Sequence, residues 1–172
     1  PIQPAGEEGD VGDCFYNFSI EQLASWFCTD DEFTKSELAS LGMLPEAIWD
    51  DEAKCYTAIG EAETLFPCFR GTCMGWSWAL HLCQLVMNHA ITTSGVLPHV
   101  QIADKQAPVC LQKIDDIAAA GYVDNYLVCG HNELLVQQQA DDVAATLRGW
   151  GLSVHEEEKA GTQIEFTSLF LN

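Results

Sequence analysis

Two aspartates, Asp10 and Asp124, stand where the sequence predicts the ends of strands. Asp10 begins a short run rich in aromatic residues, and Asp124 lies at the tip of a hairpin predicted over 117–129. If the two strands are neighbours in one sheet, their carboxylates form a cluster. Close carboxylates repel each other unless a cation neutralises them, and oxygen ligands of this kind suit Mg²⁺ or Mn²⁺. The pair therefore predicts a divalent metal site, and the alternative is that Asp124-Asn125 only forms a turn.

The composition limits which kinds of protein this can be. The 172 residues are 48% hydrophobic, enough for one compact domain with a sizeable core. Seven Lys and Arg against 26 Asp and Glu give a net charge of −19, which repels nucleic acid at long range unless metal ions or a basic partner intervene. Neither a long apolar run nor a signal peptide is visible, so we expect an intracellular protein, cytoplasmic or nuclear, without membrane contact. The eight cysteines form no C-x-x-C pair and are expected to be reduced, buried thiols.

Turn residues and hydrophobic periodicity predict the elements of the N-terminal part. Residues 1–9 hold prolines, glycines and acidic residues and are typical of a flexible lead-in, and a β-like run follows at 10–18. The segment 19–22, Ser-Ile-Glu-Gln, fits a capping box that begins a helix. A short helix is expected at 33–41 and a short strand at 65–69. The order predicted here is strand, helix, strand.

The C-terminal part carries the stronger signals. A long helix predicted at 75–93 is apolar nearly all round, which is typical of a buried central helix. A loop at 94–113 and the hairpin at 117–129 follow, then an amphipathic helix at 132–148 and closing strands at 152–155 and 164–171. The apolar face of that last helix comprises Val136, Ala140, Val143, Leu147 and Trp150. This order indicates an α+β fold, a ferredoxin-like β-α-β-β-α-β sandwich with an antiparallel sheet and its helices on one face.

Four segments, in order, resemble motifs of reverse transcriptases, and a fifth does so faintly. They are Asp10–Tyr16 (motif A), Met74–Ala79 running into Cys83-Gln84 (motif B), Tyr122–Asn125 (motif C, Y-x-D-D), Trp150–Ser153 (motif D) and Glu165–Leu169 (motif E). The resemblance covers residues 9–171 and implies the polymerase palm of a retroelement RNA-directed DNA polymerase. Residues 1–172 would then form a single palm domain, without the N-terminal part of the fingers, the thumb or RNase H.

The resemblance implies a catalytic centre that transfers a nucleotide from a dNTP to a primer 3′ end with two divalent metals, Mg²⁺ or Mn²⁺. Asp10, Asp124 and Asn125 would be its catalytic residues, with Val11 as a further metal-binding position. Either Lys159 or His155 would act as the general acid.

Substrate contacts follow from the same resemblance. The partners would be dNTP, an RNA or DNA template-primer, and the missing fingers and thumb of a larger polyprotein. Phe15 would be the steric gate that excludes a 2′-hydroxyl. Tyr122 and Val123 would lie at the primer terminus. The nucleotide-binding positions are Asp13, Cys14, Phe15, Met74 and Gly75.

The chain also departs from the family pattern. Asn125 replaces the second aspartate of motif C, which removes one negative charge from the metal cluster. Glu7-Glu8-Gly9 stands where an apolar strand usually leads into motif A, and acidic residues precede Lys159 in motif D. The sequence therefore leaves a second interpretation open, a non-catalytic or domesticated protein that keeps the fold as a binding or structural module. A nucleotidyl cyclase palm shares the fold but lacks the M-G-W and Y-x-D-N pair.

Overall fold

The chain forms two compact units, residues 1–14 with 75–172 and residues 15–74. The computed structural model describes residues 4–43, 45–60, 64–155, 159–167 and 169–171. Within those residues no helix is both long enough and apolar enough to cross a membrane.

The strands that the structure describes are, in chain order, β1 (Ala5–Val11), β2 (Phe33–Thr34), β3 (Ala47–Asp50), β4 (Cys55–Ala58), β5 (Thr64–Leu65), β6 (Gln101–Ile102), β7 (Ile117–Tyr122), β8 (Asn125–Gly130), β9 (Val154–His155), β10 (Ile164–Phe166) and β11 (Leu169–Leu171). The α-helices are α1 (Lys35–Ser40), α2 (Ser77–Thr93) and α3 (Glu133–Gly149). Short 3₁₀ helices occupy Cys14–Asn17, Glu21–Phe27 and Pro98–Val100.

The first unit is built on a five-stranded sheet with the order β6-β7-β8-β1-β9. β1 pairs antiparallel with β8 and β9, and β7 pairs antiparallel with β8. β6 adds a parallel edge strand beside β7, so the sheet is mixed, while its other three pairings are antiparallel as predicted. α2 packs on β7, α3 packs on β1 and β8, and the two helices contact each other. The α+β class is therefore as expected.

The first strand lies further towards the N-terminus than the sequence predicts. β1 begins at Ala5, inside the segment 1–9 predicted as a flexible lead-in, and it ends at Val11 rather than continuing to 18. Glu7 is only 1% exposed, so this acidic residue occupies a buried strand position. The prediction was wrong here because acidic residues and glycines hide the alternating pattern that normally marks a strand.

Gly9 makes β1 possible at this place in the sheet. Tyr126, directly opposite on β8, is completely buried. A Cβ atom on Gly9 would lie 2.4 Å from the Tyr126 ring, closer than any side chain can approach. The glycine therefore marks a close packing contact, one of the recognised uses of glycine inside a strand.

The two long helices lie close to their predicted positions, but α2 is not buried all round. Its buried side includes Cys83, Met87 and Ile91, whereas Trp78 and Leu85 are 59% and 50% exposed. The prediction was wrong because composition alone does not show which side of an apolar helix meets the sheet.

In α3 four of the five predicted core positions are buried, and Asn132 caps the helix by accepting a hydrogen bond from the Leu134 N–H. The fifth, Trp150, is 42% exposed and stacks on His89. Gly149 ends the helix as expected.

Several short elements differ from the prediction. The 3₁₀ helix Glu21–Phe27 has Ile20 at its start without a side-chain cap, so the capping box predicted at 19–22 is wrong. A capping box is present instead at α1, where Thr34 and Glu37 bond each other's backbone N–H groups. The strand predicted at 65–69 is reduced to β5. The strand predicted at 164–171 is a hairpin of β10 and β11.

The cysteines are not all reduced thiols. Cys28 and Cys68 of the second unit form a disulfide, which corrects the expectation drawn from their apolar surroundings. Cys55 and Cys110 are exposed, and Cys14 and Cys83 are buried as expected. The disulfide joins the end of a 3₁₀ helix to the segment that follows β5.

Removing this disulfide is expected to destabilise the second unit substantially. It closes a loop with a sequence separation of 40 residues. In the chain-entropy model, a loop of that length contributes about 4 kcal/mol to the free energy of unfolding. Urea unfolding of the C28S/C68S double variant should reveal the loss. Cys55→Ser, which alters an exposed free thiol, serves as the control, and equal midpoints for the two would contradict the expectation.

Candidate functional site

Adjacent strands bring Asp10 and Asp124 to the same end of the sheet. Asp10 is the direct antiparallel partner of Asn125, and the Val11 N–H donates to the Asp124 carbonyl at 2.9 Å. Directly opposed residues project from the same face, so the side chains of Asp10 and Asn125 lie together. The sheet thus juxtaposes residues that are far apart in the sequence. This is the carboxylate end of the sheet.

The amide of Asn125 fills the space between neighbouring carboxylates. Its Nδ2 donates to Oδ1 of Asp10 at 3.2 Å and reaches Oε1 of Glu8 at 3.5 Å. In this orientation the amide presents its positive end to Asp10, where the family pattern has a second carboxylate. Compared with an aspartate at this position, Asn125 therefore carries no negative charge and donates a hydrogen bond to Asp10.

The turn that carries Asp124 has a strained backbone. Tyr122 and Asn125 pair across a two-residue turn, and Val123 adopts φ 56°. A β-branched residue in the left-handed region costs about 1–3 kcal/mol, and such strain persists only when the surroundings fix it. At this turn, the residue that fixes the backbone belongs to α2.

Gln84 of α2 holds the turn from both sides. Its Oε1 accepts the Val123 N–H at 3.0 Å, and its Nε2 donates to the Gly121 carbonyl at 2.9 Å. The same Nε2 also donates to Oδ1 of Asn88, which accepts a further hydrogen bond from Gln101. Sequence reasoning placed Gln84 in the motif B region but assigned it no role. The signal was present as two amides, Gln84 and Asn88, spaced i, i+4 on an otherwise apolar helix.

Replacing Gln84 by Leu is expected to loosen the turn. The Val123 N–H, in a residue only 7% exposed, would lose its acceptor. An unsatisfied buried donor costs about 1–3 kcal/mol, which should appear as a lower free energy of unfolding and as faster hydrogen exchange at Val123. Gln138→Leu, on the exposed side of α3, is the matched control. Unchanged exchange at Val123 would contradict this role.

Two buried thiols lie beside the carboxylate end. Burial raises the pKa of the Cys14 thiol far above its usual range, and Cys83, Asp124 and Asp10 raise it further. Burial also raises the pKa of Cys83. Both thiols therefore stay protonated and add no charge. The negative charges of Asp10 and Asp124 thus both act on the Cys14 thiol.

The two candidates for a general acid lie in different places. His155 is the direct partner of Asp10 across the β1–β9 pair. A Cβ atom on Gly12 would lie 2.2 Å from the His155 ring, so the imidazole lies over that glycine. Lys159 precedes Gly161, which bridges to Gly6 near the opposite end of β1. The geometry favours His155 of the pair.

The predicted nucleotide-binding residues are divided between the two units. Asp13 and Gly75 belong to the first unit with Cys14, and both have positive φ, 53° and 91°. Phe15 and Met74 belong to the second unit. The Phe15 carbonyl accepts the Thr72 N–H at 3.1 Å, and Met74 is 67% exposed.

Of the two residues predicted at the primer terminus, Tyr122 is 58% exposed at the end of β7. Val123, which belongs to the turn, is buried. Tyr122 is therefore the one whose side chain a second molecule can reach.

The donor atoms at this end are all of the type that Mg²⁺ and Mn²⁺ prefer. Asp10 and Asp124 offer carboxylates, Val11 can offer only its backbone carbonyl, and Asn125 could offer its amide oxygen after a rotation of the side chain. Within the described residues, no group of three or more His, Cys, Asp and Glu has a geometry for holding a metal ion. Asp10 and Asp124 match a hard cation in donor chemistry, but among the described residues they are not part of a group of three or more such side chains that could hold one.

Comparison with known proteins adds no relative from which a role can be transferred. No protein-family model matches the chain, and no curated protein matches it. The chemistry of the carboxylate end must therefore be argued from its own residues.

Proposed function

We propose that the first unit is a reverse-transcriptase-like palm that transfers a nucleotide from a dNTP to a primer 3′ end. The observation that carries this proposal is that Asp10 of β1 and Asp124, in the turn that leads into the adjacent strand β8, lie at the same end of the sheet. Y-x-D-N at the hairpin tip and the M-G-W segment before α2 supply the resemblance to the family. The retroelement origin rests on the same resemblance, and a cytoplasmic or nuclear location stays a prediction.

The strand order supports a palm. When the short edge strand β6 is left out, the strand order in the sheet is β7-β8-β1-β9. In the sequence, α2 lies between β1 and β7, and α3 lies between β8 and β9. That is the arrangement of a ferredoxin-like β-α-β-β-α-β unit. It puts the first strand and the hairpin side by side, as a pair of catalytic aspartates requires.

In this proposal each residue at the carboxylate end has a separate task. Two divalent ions, when bound, would neutralise the triphosphate and activate the primer hydroxyl. Asp10 and Asp124 would bind those ions, and Gln84 would keep the turn in position. His155, beside Asp10, would donate a proton to the leaving pyrophosphate. Tyr122 would contact the primer terminus.

Asn125 sets how well such a site works. To act as a ligand its amide must give up the hydrogen bond to Asp10 and rotate so that the oxygen faces the cation. A neutral oxygen also neutralises less cationic charge than a carboxylate does. We therefore expect weaker metal binding than two adjacent aspartates would give, and a preference for Mn²⁺ over Mg²⁺.

A net charge of −19 requires that nucleic acid be held by something besides this chain alone. Basic fingers and a thumb from a larger polyprotein would supply that attraction. The second candidate function is a non-catalytic module that keeps the fold, and the Asn125–Asp10 hydrogen bond favours it because it satisfies the carboxylate without a metal.

Primer extension distinguishes the two candidates. The chain is incubated with a primer annealed to an RNA template, dNTPs, and Mg²⁺ or Mn²⁺ at low salt. The proposal predicts templated addition, faster with Mn²⁺ and absent in Asp10→Ala. No extension with either metal, including when basic fingers and thumb segments are supplied in trans, would favour the non-catalytic module.

A further inference from the structure

The second unit contains a cavity of about 620 Å³, and none of the residues that line it belongs to the carboxylate end. Its lining includes three buried apolar residues, Ala24, Leu38 and Leu65. It also includes Tyr56 and Phe66, which remain 48% and 47% exposed. The volume is in the range of small-molecule sites, which are mostly apolar with a few polar groups.

Aromatic rings form one side of this cavity. Trp49 of β3 and Tyr56 of β4 are register partners, and their rings meet edge to face at 5.2 Å. Trp49 also directs its indole N–H towards Oδ1 of Asp51, 3.4 Å away. Ring faces of this kind attract cations through their quadrupole, and tryptophan does so most strongly.

The charged groups of the lining are a carboxylate and a guanidinium. Glu21 and Arg70 form an ion pair, and their side chains are 33% and 63% exposed. Because Arg70 is the more exposed partner, it can turn into solvent and leave the Glu21 carboxylate to another cation. An exposed ion pair of this kind contributes little to stability, so the exchange has a low cost.

The net charge of the second unit decides which sign of charge a ligand should carry. Residues 15–74 include eleven Asp and Glu against three Lys and Arg, a net charge of −8. Such a field attracts cations and repels anions on approach. An anionic ligand could pair with Arg70. It would, however, be repelled by the negative charge of the unit and would have to displace the Glu21 carboxylate from Arg70. A cationic ligand must displace Arg70 from Glu21, but it meets a favourable field and the aromatic rings.

We propose that this cavity binds a small organic cation with an aromatic or other apolar body. Its positive charge would lie between the Trp49 ring and the Glu21 carboxylate, and its apolar body would lie against Leu38 and Leu65. Cys28 and Cys68, which the disulfide joins, belong to the same lining. This site is independent of the nucleotidyl-transfer proposal, because every residue that lines it belongs to the second unit.

The test is a ligand-detected NMR titration of the whole chain with three probes that share a benzyl body. Benzyltrimethylammonium is expected to bind at least about tenfold more tightly than benzyl alcohol, and phenylacetate more weakly than either. Phenylacetate binding as tightly as the cation would overturn the assignment of charge. Absence of binding by all three would overturn the site.

Variants locate the binding. Trp49→Leu should weaken benzyltrimethylammonium binding about fivefold or more, as the loss of a cation–π contact implies. Trp26→Leu is the matched control, since Trp26 belongs to the same unit, is 73% exposed and does not line the cavity. Glu21→Gln, which preserves shape, should weaken the cation alone and leave benzyl alcohol unchanged. Equal effects of the two tryptophan variants, or no effect of Glu21→Gln, would contradict the proposal.

Discussion

Replacing Asp124 by Asn is expected to abolish the stabilisation that Mn²⁺ gives to the first unit and to reduce nucleotide addition by about 100-fold or more. The change keeps the size of the side chain and leaves the backbone carbonyl that accepts the Val11 N–H. It therefore removes one of the two carboxylates without altering the turn. A site with Asp10 as its last carboxylate would bind a divalent ion weakly, because charge supplies most of the attraction.

Thermal melting with increasing Mn²⁺ measures the first effect, and primer extension measures the second. Asp142→Asn is the matched control, because it removes one carboxylate from the exposed side of α3 and changes the net charge equally. If both variants lose the same stabilisation, the effect of Mn²⁺ comes from the general negative charge and the metal site at the carboxylate end is refuted.

Replacing Asn125 by Asp is expected to have opposite effects with and without metal. Without a cation, the variant places two carboxylates directly opposite each other on β1 and β8 and removes the hydrogen bond to Asp10. Like charges at such a position are destabilising by up to about 1 kcal/mol, to which the lost hydrogen bond adds a similar amount. With Mn²⁺ or Mg²⁺, the added carboxylate should raise the metal affinity about tenfold or more and increase nucleotide addition.

Melting curves in EDTA and in Mn²⁺ test this reversal of sign. Gln106→Glu is the control: it adds the same charge at an exposed loop position of the first unit. A variant that is less stable in both conditions would show that Asn125 serves the fold alone and would favour the non-catalytic module.

The elements that the sequence predicted well are those with a strong local signal. α2, α3 and the hairpin of β7 and β8 carry clear periodicity or turn residues, and their bounds agree with expectation to within a few residues. The position of β1 was predicted wrongly because the contacts that place it in the sheet are not local in the sequence. Gly9 leaves room for the buried ring of Tyr126 on β8, a contact between residues far apart in the sequence.

The site shows the same division. Asp10 and Asp124 could be identified from their residue types and their motif context, and the sheet brings them to one end. The part played by Gln84 depends on which way one side chain of α2 points, which periodicity does not specify. The capping box shows that a residue pattern alone does not specify a structure. Segments 19–22 and 34–37 share the same pattern, but the capping box forms in 34–37 and not in 19–22.

The most direct test of a metal site at the carboxylate end is the electron paramagnetic resonance signal of free Mn²⁺ during a titration of the chain at physiological salt. We expect the unaltered chain to remove one or two ions from solution with saturation, above a weak, salt-sensitive background from its other acidic residues. A variant carrying Asn at both Asp10 and Asp124 should retain that background alone. Identical titration curves for the two proteins would contradict a metal site at the carboxylate end.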